Sequence, residues 1–318
     1  MISNRNESVR YSDNDERQLI TPVVFIIFKR PDVTERVFKV IRQAKPRKLL
    51  IIADGPRIDR PGEAEKCAAT RAVIEGVDWD CEVLKNYSEI NLGCAKRVSG
   101  GLDWVFDKVE EAIILEDDCV PHPTFFRFCE ELLEHYRYDE RIMVIAGNNF
   151  QFGHIKIEDS YYFSRYNHCW GWASWRRAWQ HYDFAMKLWP EVRDKGWLRD
   201  LLLDSQAVDY WTKIFQATCN GQIDSWAYRW TFACWVQSGL TVLPNVNLVS
   251  NIGYGQGATN TTISDRFDNM PVEAMNFPLQ HPSFILRNVK ADAFTQKNNF
   301  YFSGLLSSIK RRVKALLN

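Results

Sequence analysis

A run of four apolar residues followed at once by three acidic ones constrains the fold of this chain more than any other stretch. Residues 112–115 are all apolar, and Glu116, Asp117 and Asp118 come directly after them. An unbroken apolar run is typical of a strand that is buried on both faces of a parallel sheet. Open α/β sheets bind ligands beyond the carboxyl ends of their strands, so the carboxylates are candidates for a divalent cation site. A solvated acidic turn is the alternative interpretation.

Similar apolar runs alternate with helical patterns over residues 22–146. The predicted strands are residues 23–28, 49–53, 81–84, 112–115 and 142–146, and the predicted helices begin near Asp32 and lie around residues 64–74, 95–106 and 125–136. Asp32 is the predicted N-cap of the first helix, because Glu35 follows it by three residues. The alternation predicts an α/β fold with a mostly parallel central sheet and helices on both faces.

Composition and charge exclude several classes of protein. The 318 residues suit one elaborated α/β domain or two coupled lobes. Lys and Arg together number 40, as do Asp and Glu, so no bulk charge favours nucleic acid as a partner. The 8 cysteines include no C-x-x-C pair, so neither a zinc site nor a disulfide framework is indicated, and a reducing, cytoplasmic compartment is the simplest expectation. No stretch reads as a signal peptide or approaches transmembrane length.

The chain changes character along its length. Residues 1–20 are polar and are predicted to be a mobile tail. Aromatic residues are concentrated in residues 161–179 and again after residue 225, where a helix is predicted. A further strand is predicted to end at Pro244, and residues 276–302 are predicted to be irregular. Residues 303–318 combine an apolar helical face with four basic residues. That segment is predicted to lie on an anionic membrane or to dock on the protein's own body.

Residues 22–260 resemble the nucleotide-sugar-dependent glycosyltransferases of the GT-A class. Their hallmark is an acidic triplet of DxD type that ends a central strand. Leu115-Glu116-Asp117-Asp118 has the Glu-Asp-Asp form of that triplet, as in N-acetylglucosaminyltransferase I. The Pro-His-Pro-Thr-Phe-Phe sequence from Pro121 resembles the start of the next helix in that enzyme. The Phe-Lys-Arg-Pro and Ala-Asp-Gly turns after the first two strands add to the resemblance.

The resemblance implies a role for each acidic residue. Asp118 is expected to bind Mn²⁺ or Mg²⁺ directly, as the last carboxylate of the triplet does in the family. Glu116 and Asp117 are expected to contact the ribose, the metal's waters or the diphosphate. The implied donor is a UDP-sugar. Residues 21–150 would then bind the donor, and residues 151–275 would form the acceptor and catalytic half of the same domain.

Four further residues are candidates to bind the nucleotide. Asp54 matches the position that holds the imide N–H of uracil, although an Asp before Gly-Pro is also typical of a turn. Arg30 matches a position that meets the nucleotide. Lys96 and Arg97 open a predicted helix and are candidates to meet the diphosphate. For Arg30, Lys96 and Arg97 the alternative is an ordinary surface cation with no ligand.

The predicted catalytic base lies in residues 223–230. An inverting transferase needs a carboxylate to take the proton of the acceptor hydroxyl. Many relatives carry an Asp where this chain has Ala227, which leaves Asp224 as the carboxylate of the segment. Asp224 is either the base or a helix N-cap. Asp209 is the reserve candidate.

The aromatic segment is the predicted acceptor side. Sugar rings present C–H faces that stack on aromatic rings, so Trp170 or Trp172 is expected to line the site, with His168 as a polar contact. Ordinary core packing is the alternative for all three.

The combined prediction is a metal-dependent, inverting glycosyltransferase that acts on a glycan or a lipid-linked saccharide at the inner face of the cell membrane. A sugar-1-phosphate nucleotidyltransferase is one alternative, but the loop after the first strand lacks the glycine-rich sequence of those enzymes. A glycan-binding protein on a degenerate transferase fold is another. Ala227, and Asn260 where relatives often have His, favour it.

Overall fold

The computed structural model describes residues 18–253 and 266–301, which form ten strands and ten α-helices. The strands are β1 (Val23–Ile27), β2 (Lys48–Ala53), β3 (Glu82–Tyr87), β4 (Glu111–Glu116), β5 (Cys119–Pro121), β6 (Ile142–Ala146), β7 (Tyr161–Ser164), β8 (Trp172–Trp175), β9 (Leu240–Pro244) and β10 (Val249–Asn251). The helices are α1 (Pro31–Ala44), α2 (Glu63–Ala72), α3 (Cys94–Lys108), α4 (Thr124–His135), α5 (Arg176–Trp179), α6 (Trp189–Lys195), α7 (Leu198–Leu202), α8 (Ser205–Cys219), α9 (Trp226–Val236) and α10 (Val289–Thr295). A 3₁₀ turn, Val73–Gly76, follows α2, and a π-helical stretch, Gln296–Tyr301, follows α10.

Eight of these strands form one mixed sheet in the order β3-β2-β1-β4-β8-β6-β9-β7. Strands β1 to β4 are parallel to one another. Strand β8 is antiparallel to both β4 and β6, and β7 is antiparallel to β9. All strands of the sheet except β7 and β8 therefore point the same way. The predicted α/β class with a mostly parallel central sheet is confirmed.

Helices cover both faces of the sheet, as the apolar strands predicted. Successive side chains of a strand point to opposite faces. Ile26 of β1 accordingly packs in the cluster that contains Leu102 of α3, whereas its neighbour Phe25 packs in the cluster that contains Phe128 of α4. A strand that is buried on both sides has no need of polar alternation, which explains the unbroken apolar runs.

The first helix begins two residues earlier than predicted. Arg30, and not Asp32, is the N-cap of α1, and Pro31 is its first residue. Proline has no N–H to leave unsatisfied and its φ already suits a helix, so it commonly occupies the first helical position. Asp32 instead lies in the first turn, where its charge complements the helix dipole.

The expectation that residues 276–302 are irregular is wrong for their second half. Helix α10 begins after Asn288, whose side chain accepts a hydrogen bond from the backbone N–H of Ala291 at 3.0 Å. Asp292 of this helix is buried and accepts a hydrogen bond from Ser164 Oγ at 2.6 Å. A local cap and a long-range polar contact thus stabilise a helix that has no apolar periodicity of its own.

The predicted tail ends before residue 20. Leu19 is 8% exposed, and its backbone pairs with that of Ala44 and Arg47. Three other regions lie outside the described residues: residues 1–17 of that tail, Asn260, and the predicted basic helix of residues 303–318. In the part of the chain that is described, no helix is both long and apolar enough to cross a membrane.

Candidate active site

The acidic triplet lies where the parallel strands end. Glu116 is the last residue of β4, and Asp117 and Asp118 form the turn to β5. Strands β1 and β2 are in register with β4 and end at the same edge, so they carry Arg30 and Asp54 to the same side of the sheet. Parallel topology therefore brings together residues that are far apart in sequence.

Arg30 pairs with two of the three carboxylates. Its Nη2 donates to Asp118 Oδ2 at 2.8 Å and also to Asp117 Oδ1. The Arg30 side chain is 18% exposed and Asp117 is 5% exposed, so both lie largely away from water. Burial lowers the pKa of the Arg30 guanidinium, but attraction to Asp117 and Asp118 and the hydrogen bonds to both raise it overall. The arginine that was predicted to meet a nucleotide is thus bound to the predicted metal ligand.

The triplet holds more negative charge than Arg30 neutralises. Burial raises the pKa of Glu116, and repulsion by Asp118 and Asp117 raises it further. Burial likewise raises the pKa of Asp117, with attraction to Arg30 opposing it. Among the described residues, Asp117 Oδ2 is buried and has no hydrogen-bond partner. The site therefore has an unused oxygen and an incomplete balance of charge.

Asp118 is enclosed by the short strand pair β5–β10, which the sequence did not predict. Asn251, the partner of Cys119 in that pair, donates from its side chain to Asp118 Oδ1 at 3.3 Å. At Gly253, a Cβ atom would lie 2.0 Å from Asp118 Oδ2 and 2.8 Å from an Arg30 nitrogen. Only glycine fits there, because the Asp118 carboxylate and the Arg30 guanidinium already occupy the place that a Cβ atom would take. The only signal in the sequence was the Asn-Ile-Gly turn after an apolar run.

These residues fit a cation that takes most of its ligands from a bound molecule. Nowhere in residues 18–253 and 266–301 do three His, Cys, Asp or Glu side chains form a ready set of metal ligands. Asp118 and the unpartnered oxygen of Asp117 supply a partial oxygen site. Mg²⁺ is typically bound by one or two carboxylates together with substrate phosphates.

Asp54 holds the loop that precedes α3. Its carboxylate accepts hydrogen bonds from the backbone N–H groups of Leu92 at 2.9 Å and Gly93 at 3.2 Å, and from the Asn91 side chain at 3.0 Å. Burial raises the pKa of Asp54, although these N–H groups oppose the shift. The structure therefore gives Asp54 a defined role in shaping this loop, and its predicted contact with uracil stays a prediction.

Asp224 caps a helix, but not the helix that follows it in the chain. Its two carboxylate oxygens accept the backbone N–H groups of Cys94 at 3.0 Å and Ala95 at 2.9 Å, at the start of α3. Burial raises the pKa of the Cys94 thiol, and the charges of Glu116, Asp224 and Asp54 raise it further. The exposed carboxylate of Asp224 is therefore fixed at the start of α3, next to a thiol that the charge of Glu116 also reaches.

The other charged candidates are not brought together with the triplet. Lys96 is exposed on α3. Arg97 is buried and donates to the backbone oxygen of Asn86 at 2.8 Å and to its side-chain oxygen at 2.6 Å. Its guanidinium is thus directed to β3, and its contact with a diphosphate stays a prediction. Asp209 is exposed on α8, and no described contact joins it to the carboxylates.

Trp172 belongs to the core and not to a ligand-binding surface. It is 1% exposed and stacks on Trp226, with ring centroids 5.5 Å apart. The expectation that Trp172 lines the acceptor side is wrong, because β8 runs through the middle of the sheet and its side chains are covered on both faces.

Trp170 and His168 lie in a separate aromatic group, which adjoins β10 through Asp268. Phe150 contacts His168, with centroids 4.5 Å apart, and Trp170, with centroids 5.1 Å apart. Phe267 contacts Phe150 and Trp170, and the next residue, Asp268, pairs with Asn251. Trp170 is half-buried.

His168 is buried in this group as a neutral side chain. Its Nε2 has no partner among the described residues, and burial lowers its pKa to about 3.

The chain matches no protein-family model and no curated protein by sequence. Among solved structures, it is similar to a mannosyltransferase from Pyrobaculum calidifontis in complex with GDP-Man and Mn²⁺, with a TM-score of 0.36 and 13% identity over 50% of this chain and 45% of that one. It is also similar to a UDP-glucose pyrophosphorylase complexed with UDP-glucose, with a TM-score of 0.27 and 11% identity over 46% of this chain and 62% of that one. The chain thus spans less than two thirds of the length of either protein. At this level of similarity neither structure assigns a function to the chain.

Proposed function

We propose that the protein is a glycosyltransferase that transfers a sugar from a UDP-sugar with the help of Mn²⁺ or Mg²⁺. The observation that carries the proposal is the meeting of Arg30, Asp117 and Asp118 at the carboxyl edge of the sheet, where one oxygen of Asp117 has no partner among the described residues. A diphosphate is the ligand whose charge and oxygens complement such a site, because it brings both an anion for the arginine and ligands for a shared cation.

In this proposal one group of residues binds the donor and another residue accepts a proton. A divalent cation bound there would neutralise negative charge that develops on the leaving nucleotide. Asp118 would hold that cation, with Glu116 and Asp117 around it, while Asp54 keeps the loop of residues 91–93 in shape beside the donor. Asp224, fixed by two N–H groups, takes the proton of the acceptor hydroxyl as its oxygen attacks the anomeric carbon with inversion.

The proposed acceptor is a glycan or a lipid-linked saccharide, with the half-buried ring of Trp170 as the surface on which a sugar stacks. The enzyme is accordingly proposed to be cytoplasmic. Contact with the inner face of the cell membrane depends on the segment 303–318 that was predicted to be basic and amphipathic.

Calorimetry of UDP binding tests the donor site. In the presence of Mn²⁺ we expect the parent protein to bind UDP, and Asp118→Ala to bind it more weakly by about tenfold or more, which corresponds to about 1.4 kcal/mol. The matched control is Asp107→Ala, an exposed aspartate on α3, which should bind like the parent. Equal affinity of Asp118→Ala and the parent would remove Asp118 from the metal site.

A screen of UDP-sugars for released UDP separates the proposal from its alternatives. A transferase is expected to release UDP from one of them, faster with its acceptor than with water. A glycan-binding protein would release none, and a nucleotidyltransferase would instead consume a sugar 1-phosphate and UTP and form pyrophosphate.

A further inference from the structure

Arg30 carries the one positive charge that the described structure places against Asp117 and Asp118. The neighbouring cations are engaged elsewhere, since Lys29 and Arg57 both pair with Glu63. One guanidinium nitrogen serves both carboxylates, and Asp117 Oδ2 stays without a partner. Two adjacent carboxylates that are shielded from water thus share a single positive charge.

A guanidinium cannot be discharged by proton loss in a protein, so its departure would leave the two carboxylates unbalanced unless another cation or a proton took its place. The oxygens that Arg30 contacts are also those that a divalent cation would need. A Cβ atom at Gly253 would be close to both Asp118 Oδ2 and an Arg30 nitrogen, so the guanidinium and the carboxylate share one confined space. The two cations therefore compete for the same place.

We propose that Arg30 is an exchangeable counter-cation. It neutralises Asp117 and Asp118 while no donor is bound, and it keeps a free divalent cation from binding there tightly. When a diphosphate arrives with its cation, Arg30 gives up the carboxylates to that cation and pairs with a phosphate oxygen. Only the transfer of Arg30 to the phosphate rests on the proposed function. In this role Arg30 makes metal binding depend on the presence of the donor.

The first experiment measures Mn²⁺ alone, without nucleotide, by electron paramagnetic resonance of the free ion. Arg30→Met is expected to bind Mn²⁺ more tightly than the parent by about tenfold or more, because the competing charge is gone. Arg57→Met removes a nearby arginine of a different ion pair and is expected to match the parent. Adding Asp118→Ala to Arg30→Met is expected to abolish the gain.

The second experiment measures UDP binding in saturating Mn²⁺ by calorimetry. Here Arg30→Met is expected to lose affinity by about tenfold, because the phosphate loses its arginine. A gain for the metal together with a loss for the nucleotide is not what a merely structural arginine would produce, since local damage would weaken both.

The proposal is overturned if Arg30→Met keeps the melting temperature of the parent and yet binds Mn²⁺ no more tightly. If Arg30→Met does not fold, Arg30→Lys decides in its place: its single ammonium is expected to give an intermediate Mn²⁺ affinity, and parent-like affinity overturns the proposal. The Mn²⁺ measurements need no donor, so they stand even if the parent binds no UDP and the proposed function fails.

Discussion

The carboxylate of Asp224 is held by two backbone N–H groups from a helix that begins 130 residues earlier in the chain. Gly93, just before that helix, has a φ of +80°, and a Cβ there would lie 2.9 Å from Asp224 Oδ2. Glycine thus provides both the backbone conformation and the space that let the carboxylate reach the N–H groups. Asp224, which lies just before α9, therefore links the start of that helix to the start of α3.

Replacing Asp224 by Asn separates catalysis from capping. We expect Asp224→Asn to keep the affinity for UDP and Mn²⁺ but to lose turnover by about 10²-fold or more, because an amide cannot accept the proton. The free energy of unfolding should fall by about 1 kcal/mol, since one of the two capping bonds is lost. Steady-state kinetics, calorimetry and urea unfolding measure the three quantities. Asp209→Asn is the control, and retained turnover in Asp224→Asn would transfer the role to Asp209 or indicate a retaining mechanism.

The candidate site could be predicted from the sequence only in part, and the division has a physical basis. Parallel strands bring their carboxyl ends to one edge, so a pattern of buried strands was enough to group Arg30, Asp54 and the triplet. Which partner each side chain takes depends on distant backbone, so neither the Arg30 ion pair nor the capping by Asp224 follows from local patterns. Likewise, Trp170 and Trp172 are alike in sequence, and only the position of β8 makes one core and the other half-buried.

Helix α3 packs on β2 through a glycine. A Cβ at Gly101 would lie 2.6 Å from Ile52 Cγ2, whereas a Cβ at the preceding Gly100 would have nothing within 4 Å. The helix could be predicted from its apolar spacing. The closeness of its approach to the sheet could not, because two successive glycines look the same in a sequence.

The two glycines make a matched pair for a stability measurement. Gly101→Ala is expected to lower the free energy of unfolding by about 1–3 kcal/mol, because the added methyl overpacks the contact with Ile52. Gly100→Ala is expected to raise it by about 0.5–1 kcal/mol, because alanine restricts the unfolded chain and favours the helix. Urea unfolding of both variants checks this. A gain of similar size in both would contradict the close packing of α3 on β2.

At the scale of the whole molecule, a buried neutral histidine makes stability depend on pH. Burial lowers the pKa of His168 to about 3, from an ordinary value of about 6.5 in the unfolded chain. Below pH 6.5 the unfolded chain therefore binds a proton that the folded protein does not, and stability falls as the pH drops towards 3. Asp292, whose pKa burial raises to about 6, acts in the opposite sense over its own range.

His168→Asn isolates the contribution of this histidine. Between pH 7 and pH 5, the parent should lose about 2 kcal/mol of unfolding free energy through His168, and His168→Asn should lack that loss. Urea unfolding at a series of pH values measures the difference. The exposed His154→Asn controls for the replacement of a histidine as such. Parallel pH profiles for His168→Asn and the parent would mean that the buried ring does not couple folding to protonation.

The position of β8 in the sheet sets an order for the synthesis of the protein. Strands β4 and β6 both precede residue 150, but the strand between them spans Trp172–Trp175. When the first half of the chain has left the ribosome, β4 has a partner strand on only one side. The backbone groups on its other edge are then unpaired and can pair with a strand of another chain. The nascent chain therefore stays open at its centre until β8 has emerged and closed the gap.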